Sequence, residues 1–125
     1  MNNKALGTQF ERKICDILSK MGFWVHFISP DNRGAQPFDI IAAKNGRVIA
    51  GDCKTSKEKS FPISRLEDNQ IMAFEKWMAC GNGAPFIFIL HDEEIYIMPY
   101  TMLKGRTKVN IRESSIPISE VRNVF

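Results

Sequence analysis

The dipeptide Asn45-Gly46 constrains this chain more than any other feature. It is the preferred pair for a two-residue type I′ turn, in which both central residues take positive φ. It is flanked by Asp39-Ile-Ile-Ala-Ala-Lys44 and Arg47-Val-Ile-Ala-Gly-Asp-Cys-Lys54, two β-prone runs. With Asn45-Gly46 as the loop, Lys44 pairs with Arg47, and counting outward sets Asp39 opposite Asp52. Directly opposed residues have Cβ atoms about 4.5–5.5 Å apart, and like charges there are destabilising. Side chains alternate along a strand, so Asp52 and Lys54 share one face, and Asp39 joins them. Ile41, Ala43, Val48 and Ala50 complete that face, which is expected to be the hairpin's buried side.

Two carboxylates and one ammonium leave net negative charge in a partly desolvated place. A hard divalent cation suits such a cluster, because Mg²⁺ takes one or two carboxylates plus waters and substrate phosphate. The same residues also fit a hairpin end whose charges simply face water. Glu11 falls at the edge of an apolar helical stripe, where it either reaches the same cleft or lies at the solvent boundary. Gln70 sits among Leu66, Ala73, Phe74 and Trp77 on the apolar face of a second helix. A buried amide needs partners or costs about 1–3 kcal/mol. Gln70 therefore either orients a water or phosphate at the site or satisfies a backbone group.

The rest of the chain reads as one α/β domain over residues 1–125. Leu6, Phe10, Ile14, Ile17, Leu18 and Met21 recur at helical spacing, with Gly22 as a stop. Phe23 to Ile28 reads as a strand, and Ser29 to Pro37 as a loop. Ser64 and Glu67 look like the cap and capping box of the second helix, which Gly81-Asn82-Gly83 ends. Ala84 to Leu90 and Glu94 to Met98 read as strands joined at His91-Asp92-Glu93, and the tail is less regular. Trp24 and Trp77 are expected in the core. No apolar run suits a membrane span and no signal-peptide core precedes the first helix, so a cytoplasmic setting is expected. Cys15, Cys53 and Cys80 form no C-x-x-C pair and read as reduced thiols. The formal charge of +3 permits a nucleic-acid partner without arguing for one.

Pro37-Phe38-Asp39, followed thirteen positions later by Asp52-Cys53-Lys54, resembles the PD-(D/E)XK nuclease signature in a D-x-K form. Glu11 and Gln70 match accessory positions in branches of that superfamily. Lys59-Ser-Phe-Pro-Ile-Ser-Arg-Leu-Glu-Asp-Asn-Gln70 resembles the segment after the active-site lysine of RecU-type Holliday junction resolvases. The strands after Gly83 and Ser115-Ile-Pro-Ile118 continue the similarity. RecU proteins are longer, with a stalk before the active-site aspartate and usually Glu where Asp52 stands. Small phage-encoded resolvases would be a home for so compact a version.

The resemblance implies a restriction-endonuclease-like fold, a mixed central β-sheet flanked by α-helices. It implies a homodimer that hydrolyses DNA phosphodiester bonds at four-way junctions and uses Mg²⁺, with Mn²⁺ as a substitute. Asp39 and Asp52 would ligate the metal, with the Cys53 carbonyl and Glu11 as further ligands, so that bound water becomes more acidic and the phosphate is polarised. Lys54 would position or help deprotonate the attacking water, and Gln70 would orient a group at the site. Arg33, Lys44, Arg47, Lys57, Lys59 and Arg65 are candidate phosphate contacts. Two alternatives remain: a repair- or restriction-type nuclease acting on linear or flap DNA, and a non-catalytic DNA-binding protein.

Overall fold

The computed structural model describes residues 3–28 and 37–123. The first helix, α1 (Asn3–Lys20), buries Phe10, Ile14 and Leu18, a stripe at i, i+4 and i+8. It ends at Gly22, whose φ of +96° is open to glycine and costly for other residues. There the Lys44 ammonium donates to the Met21 carbonyl, one of the acceptors a helix C-terminus leaves over.

Strands β1 (Trp24–Phe27), β2 (Ile40–Lys44) and β3 (Arg47–Ser56) form an antiparallel meander. A short β4 (Ser60–Pro62) and α2 (Asp68–Ala79) lead to β5 (Phe86–His91), which returns parallel to β3. Then come β6 (Glu94–Pro99), β7 (Lys108–Asn110), α3 (Ile111–Ser114) and β8 (Ile116–Pro117). The main sheet runs β1-β2-β3-β5-β6-β8, and β4 pairs separately with β7. This is the mixed α/β sheet flanked by helices that the resemblance implies. Among the described residues, no helix is long and apolar enough to cross a membrane.

Apolar cores lie on both faces of the sheet. Phe10, Ile14 and Leu18 pack with Ile40, Ala42, Ile49 and Phe88 on the α1 side. Leu66 and Phe74 pack with Phe38, Ala50, Ile87 and Met98 on the α2 side. Double coverage explains why Phe86 to Leu90 is an unbroken apolar run rather than an alternating one.

Several expectations need correction. The hairpin's more buried side is Ile40, Ala42 and Ile49, because α1 covers it; Val48 on the other side is 43% exposed. The second helix begins at Asp68, not Ser64, because Leu66 is extended (φ −93°, ψ 134°) as it enters the core. Its N-cap is Glu67, and Gln70 completes the capping box. His91 ends β5 rather than lying in a turn, and is buried with Nδ1 3.0 Å from the Ser56 carbonyl. Trp24 is not core: it is 64% exposed.

The pairing count holds from Lys44↔Arg47 to Ile40↔Gly51, with Asn45 and Gly46 at φ 52° and 78°. It fails at Asp39, whose N–H donates to the Gly51 carbonyl at 2.9 Å. Asp39 and Ile40 thus both oppose Gly51, the two-against-one arrangement of a bulge. Gly51 is needed for space: a Cβ there would lie 2.3 Å from Phe88 Cε2 and 3.0 Å from the Phe86 carbonyl oxygen. Gly51→Ala is expected to lower stability by about 1–3 kcal/mol through overpacking. A urea titration with an unchanged midpoint would count against this close approach.

Candidate active site

The bulge carries Asp39 off the ladder and leaves the β3 amides beyond Gly51 without β2 partners on that edge. The Asp39 carboxylate takes one of them: Cys53 N–H donates to Asp39 Oδ2 at 2.8 Å. The next β3 carboxylate, Asp52, is 1% exposed. Its Oδ1 accepts from Gln70 Nε2 at 2.9 Å, and Lys54 Nζ lies 3.1 Å from Oδ2. Oδ2 has that ion-pair partner but no hydrogen bond.

Asp39 and Asp52 are within hydrogen-bonding reach of each other. Burial, and then the charge of Asp39, push the Asp52 carboxyl well above the usual carboxylate range, while Lys54 pulls the other way. Glu11 is half-buried on α1, and its carboxyl is also raised, by burial first and by Asp39 second. Glu11 therefore shares the electrostatic neighbourhood of Asp39 and Lys54 from the opposite face of the sheet.

Gln70 has two tasks at once. Its Oε1 accepts from the Glu67 N–H at 3.0 Å, and its Nε2 holds Asp52. It thus ties the start of α2 to a site carboxylate. The sequence pattern exposed the buried amide but not its partner, because that depends on how α2 crosses β3. The Cys53 amide and the Glu67 cap were also missed; glutamate is not a favoured N-cap residue, although the Glu67-x-x-Gln70 spacing carried a trace of the box.

The donor set suits a hard divalent cation. Buried Asp52 Oδ2 has no hydrogen bond, and the Cys53 amide occupies only one Asp39 oxygen. Among the described residues, no group of three or more His, Cys, Asp and Glu side chains is gathered to hold a metal. Two carboxylates with waters and phosphate are a normal Mg²⁺ shell. Glu11 lies outside such a cluster. The three cysteines are free thiols, with Cys80 exposed.

The basic residues separate. Lys57 and Lys59 are exposed, and Lys57 and Arg65 line a cleft of about 770 Å³ beyond Lys54, together with Thr55, Glu58 and Asp92. Arg65 is held there by the Thr55 carbonyl and lies over the Phe61 ring. Lys44 is a correction as a phosphate contact, since its ammonium is committed to Met21 and lies over Phe23. Arg47 is exposed at the hairpin tip, and Arg33 lies outside the described residues.

Comparison with known proteins fits this site. A curated crossover junction endodeoxyribonuclease, Hjc of Methanocaldococcus jannaschii, is 29% identical over 97 residues, spanning 77% of this chain and 68% of that protein. The solved structure of Hjc from Archaeoglobus fulgidus, a Holliday junction resolvase, superposes with a TM-score of 0.70 at 22% identity, covering 92% of this chain and 98% of that one. A bacterial homing endonuclease matches at a TM-score of 0.54 and 18% identity, over 86% and 73% of the two chains. These likenesses carry the restriction-endonuclease-like fold. The family description "archaeal Holliday junction resolvase (hjc)" matches residues 2–124, so the chain belongs to that family of PD-(D/E)XK nucleases.

Proposed function

We propose that this chain resolves four-way DNA junctions by hydrolysing phosphodiester bonds at a centre of Asp39, Asp52 and Lys54. The observation that carries the reading is buried Asp52, held by Gln70 against the like charge of Asp39. Such a pair weakens a fold unless it serves a cation and a polyanionic substrate. Mg²⁺, or Mn²⁺ in its place, bound by Asp39 and Asp52 with the Cys53 carbonyl, would supply Lewis acidity toward the phosphate and acidify bound water. Lys54 balances the carboxylates and offers its ammonium to charge developing on the phosphate. Gln70 fixes the Asp52 rotamer, and Glu11 tunes the charge at the site from α1. Lys57, Lys59, Arg65, Arg47 and Arg33 contribute phosphate contacts whose effect falls with salt.

A junction needs two symmetric cuts, so the working form is a two-fold homodimer with two centres facing one junction, acting in the cytoplasm. The likeness of Lys59–Gln70 to RecU-type enzymes, and a home among small phage-encoded resolvases, belong to the same proposal. The curated relative's name, crossover junction endodeoxyribonuclease, supports it.

Cleavage of a synthetic four-way junction is compared with matched duplex and flap DNA, with Mg²⁺, with Mn²⁺ and in EDTA. Selective junction cutting that needs the metal is expected. Equal rates on all three DNAs would replace the resolvase with a general endonuclease. Gln70→Leu is expected to slow junction cutting about tenfold to a hundredfold, roughly 1.4–2.8 kcal/mol in the barrier. It should also lower stability by about 1–3 kcal/mol, as the Glu67 amide and Asp52 lose partners. A Gln70→Leu protein as fast as its parent would remove Gln70 from the site.

A further inference from the structure

Arg65 differs from the exposed lysines beside it in being fixed before any substrate arrives. One N–H of its guanidinium donates to the Thr55 carbonyl at 2.8 Å, and the group lies over the Phe61 ring, 5.4 Å from its centre. Phe61 is fully buried, and Leu66 on the other side is buried too. Between them the Ile63 N–H donates to the Thr107 carbonyl. The short turn that carries Arg65 is thus anchored at both ends and in the middle. The side chain itself is exposed, and a guanidinium is a rigid fork of several N–H donors, so the group can hold Thr55 and an anion together. Lys57 and Lys59 are exposed point charges on flexible stems.

The place where Arg65 is fixed gives it a task. The N–H and C=O of one strand residue point to the same edge, and residues two apart share that edge. Cys53 N–H points to Asp39, so the Cys53 and Thr55 carbonyls both lie on the edge of β3 that β2 leaves at Gly51. Arg65 therefore stands on that edge where a β2 residue would otherwise pair. The Thr55 carbonyl lies one strand repeat, about 6.6–6.8 Å, beyond the Cys53 carbonyl, the oxygen proposed to join the metal's shell. One DNA strand rises about 3.4 Å per nucleotide as it winds, which leaves successive phosphates about 6–7 Å apart. The two spacings match. We infer that Arg65 grips the phosphate next to the scissile one and so fixes which linkage of the strand meets Asp39 and Asp52.

Charge keeps the strand on this side. Asp92 and Glu93 follow β5, which lies on the other edge of β3, and they line the same cleft as Arg65 with carboxylates. A phosphate is therefore drawn to the Arg65 side and repelled from the far one. A planar fork also matches two oxygens of one phosphate, which a lysine ammonium does not. The same stretch of chain carries Gln70. Arg65 reaches β3 at Thr55 and Gln70 reaches it at Asp52, so one segment positions both the strand and a carboxylate of the centre.

The inference rests on the proposed centre and its DNA substrate. Four-way junctions are made with an uncharged methylphosphonate at one linkage at a time on either side of the cut. With Mg²⁺, neutralising one linkage beside the cut is expected to slow parental cleavage about tenfold, as for loss of one charge-assisted fork. Arg65→Ala should slow cleavage of the unmodified junction about as much, yet lose no more than about twofold further on that one modified junction. It should also scatter cuts over neighbouring linkages while melting within about 2 °C of its parent, since the residue is exposed. Lys57→Ala should slow cutting without moving it. Losses that multiply at every linkage, or cuts by Arg65→Ala confined to the parental linkage, overturn the clamp. The same DNAs are bound to Asp52→Asn protein, which is not expected to cut, and the coupling between Arg65→Ala and the modified linkage should reappear in Kd. Coupling in binding by a chain whose parent cuts no DNA would keep the phosphate contact and overturn the proposed centre. Its absence in a chain whose parent cuts junctions normally overturns the clamp alone.

Discussion

Asp52→Asn is expected to abolish junction cleavage and, in EDTA, to raise the melting temperature. The two effects share a cause. Asparagine keeps the size of the side chain and the oxygen that accepts from Gln70 Nε2, so the cavity and the α2 anchor survive. It removes one of two like charges held together in a place that is 1% exposed. The sign follows from the direction of the shift. A carboxyl raised above its unfolded value contributes its full stability below the ordinary carboxylate range and loses it as pH rises through the folded value. Above that folded value the ionised Asp52 opposes folding, and replacing it with a neutral amide relieves that. A gain of about 1 kcal/mol corresponds to roughly 4 °C in a domain of this size. Lys54, one-fifth exposed, can be hydrated once its partner is neutral. Cleavage should fall at least about a thousandfold, since metal-assisted charge stabilisation is worth several kcal/mol. Mg²⁺ should raise the melting temperature of the parent but not of Asp52→Asn, because only a folded state that binds the ion is stabilised by it. Retained cutting, or a variant that melts below its parent in EDTA, contradicts this assignment.

The hairpin was legible because its turn chemistry is local: Asn45-Gly46 set the register through Ile40↔Gly51. The bulge at Asp39 was not, because it arises where β2 leaves β3 and a carboxylate replaces a strand as the partner of the Cys53 amide. Asp39 and Asp52 still come together, by a different route from direct opposition. The start of α2 was misread because Ser64 and Glu67 have capping chemistry, yet tertiary burial of Leu66 keeps the chain extended past both. Trp24 was misread for a simpler reason. Size and apolarity suggest the core, while the alternation of Trp24 and His26 with Val25 and Phe27 already marked the first two as a separate face. Which face of an edge strand is left uncovered depends on the reach of α2, and no local pattern records that.

Phe74→Ala is expected to cost about 3–5 kcal/mol, the largest stability effect of the substitutions considered, and to slow cleavage even where the protein is still folded. Phe74 is fully buried, stacks on Phe38 with ring centres 5.4 Å apart, and meets Tyr100 edge-on at 5.1 Å. Phe38 in turn contacts Trp77 edge-on at 5.4 Å. The cluster is therefore pinned between two site residues: Phe38 immediately precedes Asp39, and Phe74 follows Gln70 by about one helical turn. Emptying the Phe74 position leaves a void that the sheet and α2 can only partly close, and each closing motion shifts Asp39 or Gln70. Phe74→Leu retains most of the volume and should lose roughly half as much stability. Denaturant titrations of both variants, paired with junction cleavage at a temperature where each stays folded, check the expectation. A loss below about 1 kcal/mol would mean that the core collapses freely around the gap. Full cleavage by folded Phe74→Ala would mean that Asp39 and Gln70 are held in place without this cluster.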